Sequence, residues 1–296
     1  MGVVIPALWP KMKNPILEDV LSRTPTVPLY HYTGQAGFIG VVEKTEIWAS
    51  HTQYLNDRRE YLHAVDMVRE RIRALLPSAD ETGRSILANM EVGLTGIEGM
   101  NVCVCSFSEE RDSLSQWRAY GSVSSGIAIG FSGAFLAAVA TLKEWYLVPC
   151  IYEPEEQRCL VEALVQEVYD QNLEWTKANA PELEDLPPGG NLNAYLHRYA
   201  PILKDYSFRD EREWRLISRP LSCRSEAFSF REGTSMLIPY YKFPLLDSEG
   251  HFKLHEVVVG PTPHPKQSEM STRSFLVKNF QRDVPVVPSK VPYRSW

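Results

Sequence analysis

Residues 29–33 carry the side chains whose chemistry is most suggestive in this chain. They read Leu-Tyr-His-Tyr-Thr and form a short apolar segment flanked by prolines and a glycine, as a strand would be. Alternate side chains of a strand face opposite sides, so His31 and Thr33 share one face while Tyr30 and Tyr32 pack on the other. The segment favours a ligand-binding strand, and the alternative is a core strand whose His and Thr are structural.

A charged run at residues 210–215, Asp-Glu-Arg-Glu-Trp-Arg, is the second candidate. If residues 211–218 form a strand, Glu211, Glu213 and Arg215 lie on one face. A carboxylate there can hold a ribose hydroxyl or stabilise a cationic sugar, with Arg215 orienting it. The alternative is an exposed edge strand whose charges form a ladder of ion pairs.

Aromatic side chains make up the third candidate group. Ser106 and Phe107 end a cysteine-rich apolar run over residues 101–107, and Trp117 and Tyr120 follow in a predicted helical segment. Because Trp117 and Tyr120 are three residues apart, they share a helix face. They can stack on a planar ring, although aromatic pairs at this spacing also pack in cores.

Several familiar catalytic patterns are missing from the sequence. The segment 126–131 (GIAIGF) lacks the Lys-Ser/Thr of a P-loop and the extra glycine of the dinucleotide-binding fingerprint. There is no Gly-x-Ser-x-Gly motif, and His51 and His63 are too far apart for a zinc protease. The cysteines do not have the spacing of a zinc ribbon. The sequence therefore predicts no metal site.

Composition predicts an ordinary globular protein. The 296 residues carry a formal net charge of -6, which gives no overall electrostatic reason to bind nucleic acid, although a local basic groove is compatible with it. The odd number of cysteines, five, fits a reducing compartment. The first ten residues lack the features of a signal peptide, and no stretch approaches the roughly 20 apolar residues of a membrane span. We expect a cytoplasmic protein that does not enter the membrane.

Helices and strands are both predicted along the whole chain. Helices are expected over 16–22, 35–44, 58–76, 81–94, 112–120, 132–142, 155–178, 192–203 and 266–279. Strands are expected over 29–33, 46–50, 101–107, 126–131, 145–152, 211–218, 227–230, 235–240, 255–260 and 284–287. We therefore predict an α+β single domain over residues 29–288, with an N-terminal arm (1–28), helical insertions at 58–94 and 155–203, and a C-terminal tail (289–296).

Seven short motifs, taken in order, carry a family resemblance. They occupy residues 29–33, 47–50, 55–57 with Glu60, 105–108, 116–120, 126–131 and 211–215. In order and spacing they resemble the domain-of-unknown-function family 2971 (DUF2971), over about residues 29–261. That family in turn is similar to a divergent branch of the ADP-ribosyltransferases, which implies a split mixed β-sheet core.

The resemblance to ADP-ribosyltransferases implies NAD as co-substrate and no metal. His31 would hydrogen-bond the ribose beside the nicotinamide, and Thr33 or the His31 backbone would hold nearby groups. An aromatic side chain would stack on the nicotinamide, and three residues compete for that role. The residues expected to bind NAD are His31, Tyr32, Thr33, Ser106, Phe107, Trp117 and Tyr120.

A glutamate on a late strand is the catalytic residue that the same resemblance implies. Glu213 matches it, with Glu211 in an E-x-E arrangement, and Asn56 and Arg215 are expected on the substrate side. Cleavage of the nicotinamide–ribose bond develops positive charge on the sugar. A carboxylate stabilises that charge more in the transition state than in the ground state.

The expected activity is mono-ADP-ribosylation of a macromolecule. Members resembling this chain include bacterial toxins and phage-defence components that act on RNA. The expected acceptor is therefore single-stranded RNA, with a protein as the alternative, and a cognate antitoxin is a further expected partner. Arginines within 58–59, 69–73 and 209–215 are candidate phosphate contacts, although such charges also serve solubility. The alternative functions are an NAD glycohydrolase, in which water replaces the acceptor, and a catalytically silent module that binds a nucleotide or a protein.

Overall fold

A computed structural model describes residues 13–55, 58–94, 101–120, 126–179 and 192–292. Their fold is α+β with one mixed sheet, which confirms the predicted class. Within these ranges, none of the helices is both long and apolar enough to cross a bilayer. The helices are α1 (Pro15–Ser22), α2 (Gln35–Lys44), α3 (Arg58–Leu75), α4 (Glu81–Gly93), α5 (Leu114–Tyr120), α6 (Gly133–Leu142), α7 (Pro154–Asn179), α8 (Leu192–Tyr199) and α9 (Pro265–Lys278).

The described strands join in a single ten-stranded sheet. They are β1 (Leu29–Gly34), β2 (Glu46–His51), β3 (Cys103–Ser108), β4 (Gly126–Phe131), β5 (Tyr146–Pro149), β6 (Glu213–Ile217), β7 (Phe228–Glu232), β8 (Leu237–Pro244), β9 (Glu256–Val259) and β10 (Val286–Pro288). The hydrogen-bonded order is β10-β9-β4-β1-β3-β2-β8-β7, and β6 joins β3 to β5 as a branch. The β9–β10 pair is parallel, whereas the other pairs are antiparallel.

A gap lies between β1 and β2 on the side of β3 that faces away from β6. On one side, β6 pairs with β3 over residues 104–108. On the other side, β2 pairs with the start of β3, and β1 meets its end, where Tyr30 lies opposite Ser108. Neither β1 nor β2 has a residue in register with positions 105–107 of β3. We call this gap the sheet opening.

Apolar side chains on the two faces of the sheet build two large cores. On one face, Phe107 and Trp214 belong to a core that includes residues of α2, α6 and α9. On the other face, Val104 and Ile217 belong to a core that includes α3, α4, α7 and α8. Because α3 and α4 both contact α7, the two predicted insertions form one helical layer. Leu17 of α1 is also buried in this layer, so the described part of the predicted arm packs against the domain.

Most predicted elements are present with ends shifted by a few residues. The largest functional difference concerns residues 211–218, where the strand begins only at Glu213. Residues 206–211 instead form a 3-10 helix, and Arg212 follows it in the left-handed conformation with φ 42°. The predicted helix over 192–203 likewise ends at Tyr199 and continues as a 3-10 turn, because Pro201 cannot donate a helical hydrogen bond.

Candidate functional site

A half-open pocket of about 50 Å³ lies at the sheet opening. Seven of the residues predicted to form a site line this pocket, and they come from β1, β3, α5 and the segment that starts β6. Residues on both faces of β1 reach it, since the strand borders the gap. The lining residues are Tyr30, His31, Tyr32, Ser106, Phe107, Gln116, Tyr120, Glu211 and Glu213.

His31 is held across the sheet opening by a backbone carbonyl. Its Nδ1 lies 3.0 Å from the Ser106 oxygen, and its ring lies 5.8 Å from the Phe107 ring, centroid to centroid. Because a carbonyl only accepts, this contact places the proton on Nδ1 and leaves Nε2 as an acceptor. Burial lowers the pKa of His31, against the opposing effect of the Ser106 contact, so the ring is neutral at neutral pH.

Glu213 is a buried carboxylate that two cations hold. It is 4% exposed and begins β6. Arg215 donates from Nε to Oε1 at 2.8 Å and from Nη2 to Oε2 at 3.2 Å, while Lys204 Nζ donates to Oε2 at 2.5 Å. Burial alone would raise the pKa of Glu213, but the charges of Arg215 and Lys204 outweigh it and lower the pKa to about 2. Glu213 is therefore ionised at neutral pH.

Glu211 also contacts the cluster of Glu213, Lys204 and Arg215, but strand periodicity does not explain its position. It is the last residue of the 3-10 helix and lies outside β6, so the predicted shared strand face holds for Glu213 and Arg215 alone. The left-handed turn at Arg212 reverses the chain locally, and Lys204 Nζ binds Glu211 Oε2 at 2.6 Å. The Glu211 backbone oxygen also accepts from Ser108 Oγ at 2.6 Å, which fixes the turn to β3.

The alternative of an exposed edge strand with an ion-pair ladder is wrong. All residues of β6 are buried, and the strand lies between β3 and β5. Arg215 is itself 5% exposed and donates a further hydrogen bond to the Pro201 carbonyl. Buried charges are retained only when they are paired, so the cluster is built around its ion pairs.

The aromatic pair of α5 divides between the pocket and the core. Tyr120 is 44% exposed and lines the pocket, and burial of its hydroxyl, with a contribution from the Glu213 charge, raises its pKa. Trp117 is 3% exposed, its ring meets Tyr32 edge-on at 4.7 Å, and its Nε1 donates to Asp112 at 2.7 Å. The expected stacking role of Trp117 is therefore not supported, because the side chain is already packed.

Two other predicted residues lie outside the pocket lining, and a third is not among the described residues. Thr33 shares the His31 face, as predicted, but a Cβ at Gly37 would come within 2.1 Å of Thr33 Oγ1, so this side chain packs against α2. Arg215 does not line the pocket but contacts Glu213, which does. Asn56 lies outside the described residues.

Sequence reasoning missed three residues of the site. Tyr30 was expected to pack away from His31, yet it lines the pocket, and its hydroxyl donates to Glu256 at 2.7 Å. Gln116 lies within a recognised motif and is the polar residue just before Trp117, which was the available signal. Lys204 is 3% exposed, and its sequence surroundings carried no signal, since only the fold brings it to Glu213.

The segment between β3 and α5, residues 109–113, is fixed to the sheet beside the pocket. Arg111 donates to both oxygens of Glu256, at 2.6 and 2.9 Å, and this contact lowers the pKa of Glu256. Asp112 accepts a hydrogen bond from Trp117 Nε1, and it accepts another from the Ser289 hydroxyl at 2.5 Å. These contacts hold α5 in place and so position its pocket residues.

The candidate phosphate-binding arginines whose side chains the structure describes have carboxylate partners. In the 69–73 group, all three arginines lie beside an acid, and Arg212 lies 3.2 Å from Glu110. The side chains of residues 58–59 are not among those that the structure describes. In the 69–73 group, Arg69 lies 2.8 Å from Asp66, Arg71 lies 4.0 Å from Glu162, and Arg73 lies 3.0 Å from Glu91.

One group of described residues has the spacing of a metal site, but it does not line the pocket. Asp247, Glu249 and His251 lie together in the exposed loop after β8. Lys253 Nζ already lies 2.6 Å from Asp247, and this contact holds the pKa of Asp247 below its ordinary value. Exposed acidic groups of this kind are common, so the loop gives no reason to assign a metal to the site.

The fold and site define an α+β protein with an acidic pair, of which Glu213 is buried and Glu211 is partly exposed, at an opening in its sheet. Residues 116–216 match the model of DUF2971, a family described as a protein of unknown function. This range covers about a third of the chain and contains the α5 motif, β4 and the acidic pair, so it supports the predicted family resemblance. No curated protein and no solved structure matches the chain.

Proposed function

We propose that the protein is an NAD-dependent ADP-ribosyltransferase. The observation that carries this proposal is the convergence of His31, Tyr120 and Glu213 on one pocket, although they lie in three distant parts of the sequence. A sheet opening beside His31 is also what the split core of that enzyme class leads one to expect. If the pocket had no such function, the positions of His31, Tyr120 and Glu213 would each need a separate structural explanation.

In this proposal Glu213 stabilises the cationic sugar. Departure of nicotinamide leaves positive charge on the ribose, and an anionic oxygen nearby lowers the energy of that state. Lys204 and Arg215 keep Glu213 ionised, as the lowered pKa shows. The two cations also offset the negative charge of Glu213. A hydrogen bond from a ribose hydroxyl to Glu213 therefore stabilises the cationic sugar in addition to the charge itself.

His31 and Tyr120 bind the reacting end of the substrate in this proposal. The free acceptor on His31 Nε2 suits a ribose hydroxyl. Tyr120 ends α5 and keeps a large exposed fraction, so its ring can form a wall for nicotinamide. A volume of about 50 Å³ cannot enclose a dinucleotide, so the adenosine end must lie outside the pocket.

The proposed acceptor is single-stranded RNA, in a toxin or phage-defence setting. Its support is the family resemblance, since the arginines of the 69–73 group are matched by acids. A protein acceptor, or water in a glycohydrolase, would use the same cleavage step. The acceptor therefore has to be an explicit arm of the experiment.

The test is incubation of the pure protein with NAD labelled on the adenosine side, alone and with total RNA or cell lysate. We expect free nicotinamide, with label in the RNA fraction. Release of nicotinamide without label in any polymer would identify a glycohydrolase. Absence of both nicotinamide release and any NAD-induced rise in melting temperature would refute the proposal.

A variant pair links the activity to the carboxylate. Glu213→Gln should reduce nicotinamide release by about 100-fold or more, whereas Glu155→Gln, which changes an exposed glutamate on α7, should leave it unchanged. Both variants need a check of the folded fraction at the assay temperature. If folded Glu213→Gln still binds NAD and turns it over at the original rate, Glu213 is not catalytic. Binding without turnover by the unmodified protein would instead identify a silent nucleotide-binding module.

A further inference from the structure

Lys204 joins the two carboxylates of the site although it belongs to neither the strand nor the turn that carries them. Its Nζ lies 2.6 Å from Glu211 Oε2 and 2.5 Å from Glu213 Oε2. Its side chain is 4% exposed. One buried ammonium thus bridges two acids that would otherwise repel each other at the pocket wall.

The backbone of Lys204 is anchored on both sides of its Cα. Its N–H donates to the Ile151 carbonyl at 3.1 Å, and its own carbonyl accepts from Gln157 Nε2 at 2.7 Å. The same Gln157 nitrogen donates to the Ile151 carbonyl at 2.7 Å, and Gln157 is 3% exposed. The backbone of the lysine is therefore anchored to Gln157 of α7 and to Ile151, which follows β5.

Counting acceptor sites shows what this bridge leaves for a ligand. A carboxylate oxygen accepts about two hydrogen bonds. Glu213 Oε2 already accepts from Lys204 and Arg215, while Oε1 accepts from Arg215 alone within the part of the chain that the structure describes. Among the described residues, Glu211 Oε1 has no hydrogen-bond partner. Glu213 therefore retains room for one donor, and Glu211 retains one free oxygen.

We propose that Lys204 is a positioning residue of the site, which holds Glu211 and Glu213 together and leaves Oε1 of Glu213 for a single hydroxyl donor of the substrate. The kinetic part of this inference rests on the proposed function. Lys204 touches no substrate atom in this scheme and acts through the two carboxylates. The predicted E-x-E motif is then functional only together with a lysine that the motif does not contain.

Other groups also face this cluster and bear on its titration. Arg215 is the second cation, and the Tyr152 hydroxyl accepts from the Glu213 backbone N–H at 2.9 Å. The Phe208 ring lies 5.1 Å from Lys204 Nζ. Tyr120 contributes through its charged form only, which neutral pH does not populate because burial raises the pKa of Tyr120.

The test compares Lys204→Met, Lys204→Arg and the matched control Lys253→Met, which removes a surface lysine that also contacts an acid. In Lys204→Met, nicotinamide release should fall about 100-fold at neutral pH. The acidic limb of its pH profile should move upward by about one to three pH units, since a cation beside Glu213 is lost. Lys204→Arg should restore most of the rate and the original profile, and Lys253→Met should behave as the unmodified protein.

A second readout does not depend on activity. With ¹³C-labelled glutamate, the Glu213 carboxyl resonance can be assigned by its absence in Glu213→Gln and followed against pH. Its titration should move upward in Lys204→Met. If NAD is never cleaved but this titration moves, the proposed function fails while the bridge stands; an unmoved titration overturns the bridge whatever the activity.

A folding defect in Lys204→Met would not remove the test. The double variant Lys204→Met/Glu211→Gln deletes one charge of each sign and leaves Glu213 paired with Arg215. It should fold, with the Glu213 titration still above that of the unmodified protein. A folded double variant with the original titration would show that Lys204 only balances charge, and the positioning role would be rejected.

Discussion

Replacing Glu213 by glutamine should destabilise the protein as well as inactivate it. The change preserves size but removes the carboxylate to which both Lys204 and Arg215 donate. Glu211 remains as the acid that contacts Lys204, and Arg215 keeps its bond to the Pro201 carbonyl. Removing one partner from a buried ion pair typically costs about 3–5 kcal/mol, because the remaining charge stays desolvated.

The lowered pKa of Glu213 corresponds to a stabilisation of similar size. Its pKa falls from 4.5 to about 2 on folding, which corresponds to about 3 kcal/mol of stability in the ionised form. Because the folded pKa is the lower one, this stabilisation is complete above about pH 4.5. It is lost as the pH falls from there toward about 2. The difference in unfolding free energy between the unmodified protein and Glu213→Gln should therefore shrink over that interval.

The assay is thermal unfolding followed by circular dichroism, with denaturant unfolding as a check, at several pH values between 7 and 3. At pH 7 we expect a melting temperature about 5–10 °C lower in Glu213→Gln. The exposed control Glu155→Gln should not change it, since surface ion pairs contribute little. Equal melting temperatures at pH 7, or a difference that does not depend on pH, would show that Glu213 is not held as described.

Two further substitutions test the division of the site between pocket and core. Tyr120→Ala should reduce the NAD-induced rise in melting temperature and change the unfolding free energy by less than about 1 kcal/mol. Trp117→Ala should lower the unfolding free energy, measured in urea, by about 3–5 kcal/mol. The reverse pattern would contradict the placement of Tyr120 at the pocket and of Trp117 in the core. Gly37→Ala should cost about 1–3 kcal/mol, because the new Cβ meets Thr33 Oγ1. The cost should fall in a Thr33→Ala background, and an equal cost in both backgrounds would exclude that contact.

Sequence periodicity predicted the site best where side chains project from regular strands. Alternation along β1 placed His31 and Thr33 on one face, because the segment is a six-residue strand paired with β4 throughout. It could not reveal that Tyr30 also borders the pocket. That contact depends on the sheet opening, and a gap between strands that are distant in sequence leaves no local signal.

Irregular backbone explains the predictions that were wrong. Glu211 was placed on a strand, whereas a left-handed residue at Arg212 brings it to the site from a 3-10 helix. The spacing of Trp117 and Tyr120 could not show that α5, which is seven residues long, borders both a core and the pocket. Local spacing fixes relative angles on a helix but not which neighbours surround it.

Long-range structure explains what could not be predicted at all. Lys204 lies in a segment without regular periodicity, and its position depends on contacts with Ile151 and Gln157 in the helical layer. The two predicted insertions form one layer only because α3 and α7 pack together, although about 80 residues separate them in sequence. Composition and motifs therefore indicated the pocket residues that lie on the sheet. They did not indicate the helical layer that holds Lys204 in place.

The branch strand β6 has a consequence for the order in which a newly made chain can assemble. Strands β1, β3 and β4 are complete once residue 131 has been synthesised, so the His31 side of the pocket can form early. The acidic pair comes from the start of β6 and the 3-10 helix before it, and β6 inserts between β3 and β5 after the 26 residues of α7 have been made. A ribosome-bound chain that has not yet reached residue 217 thus lacks both carboxylates in place, and the protein acquires its charged centre only after the His31 side of the pocket has been made.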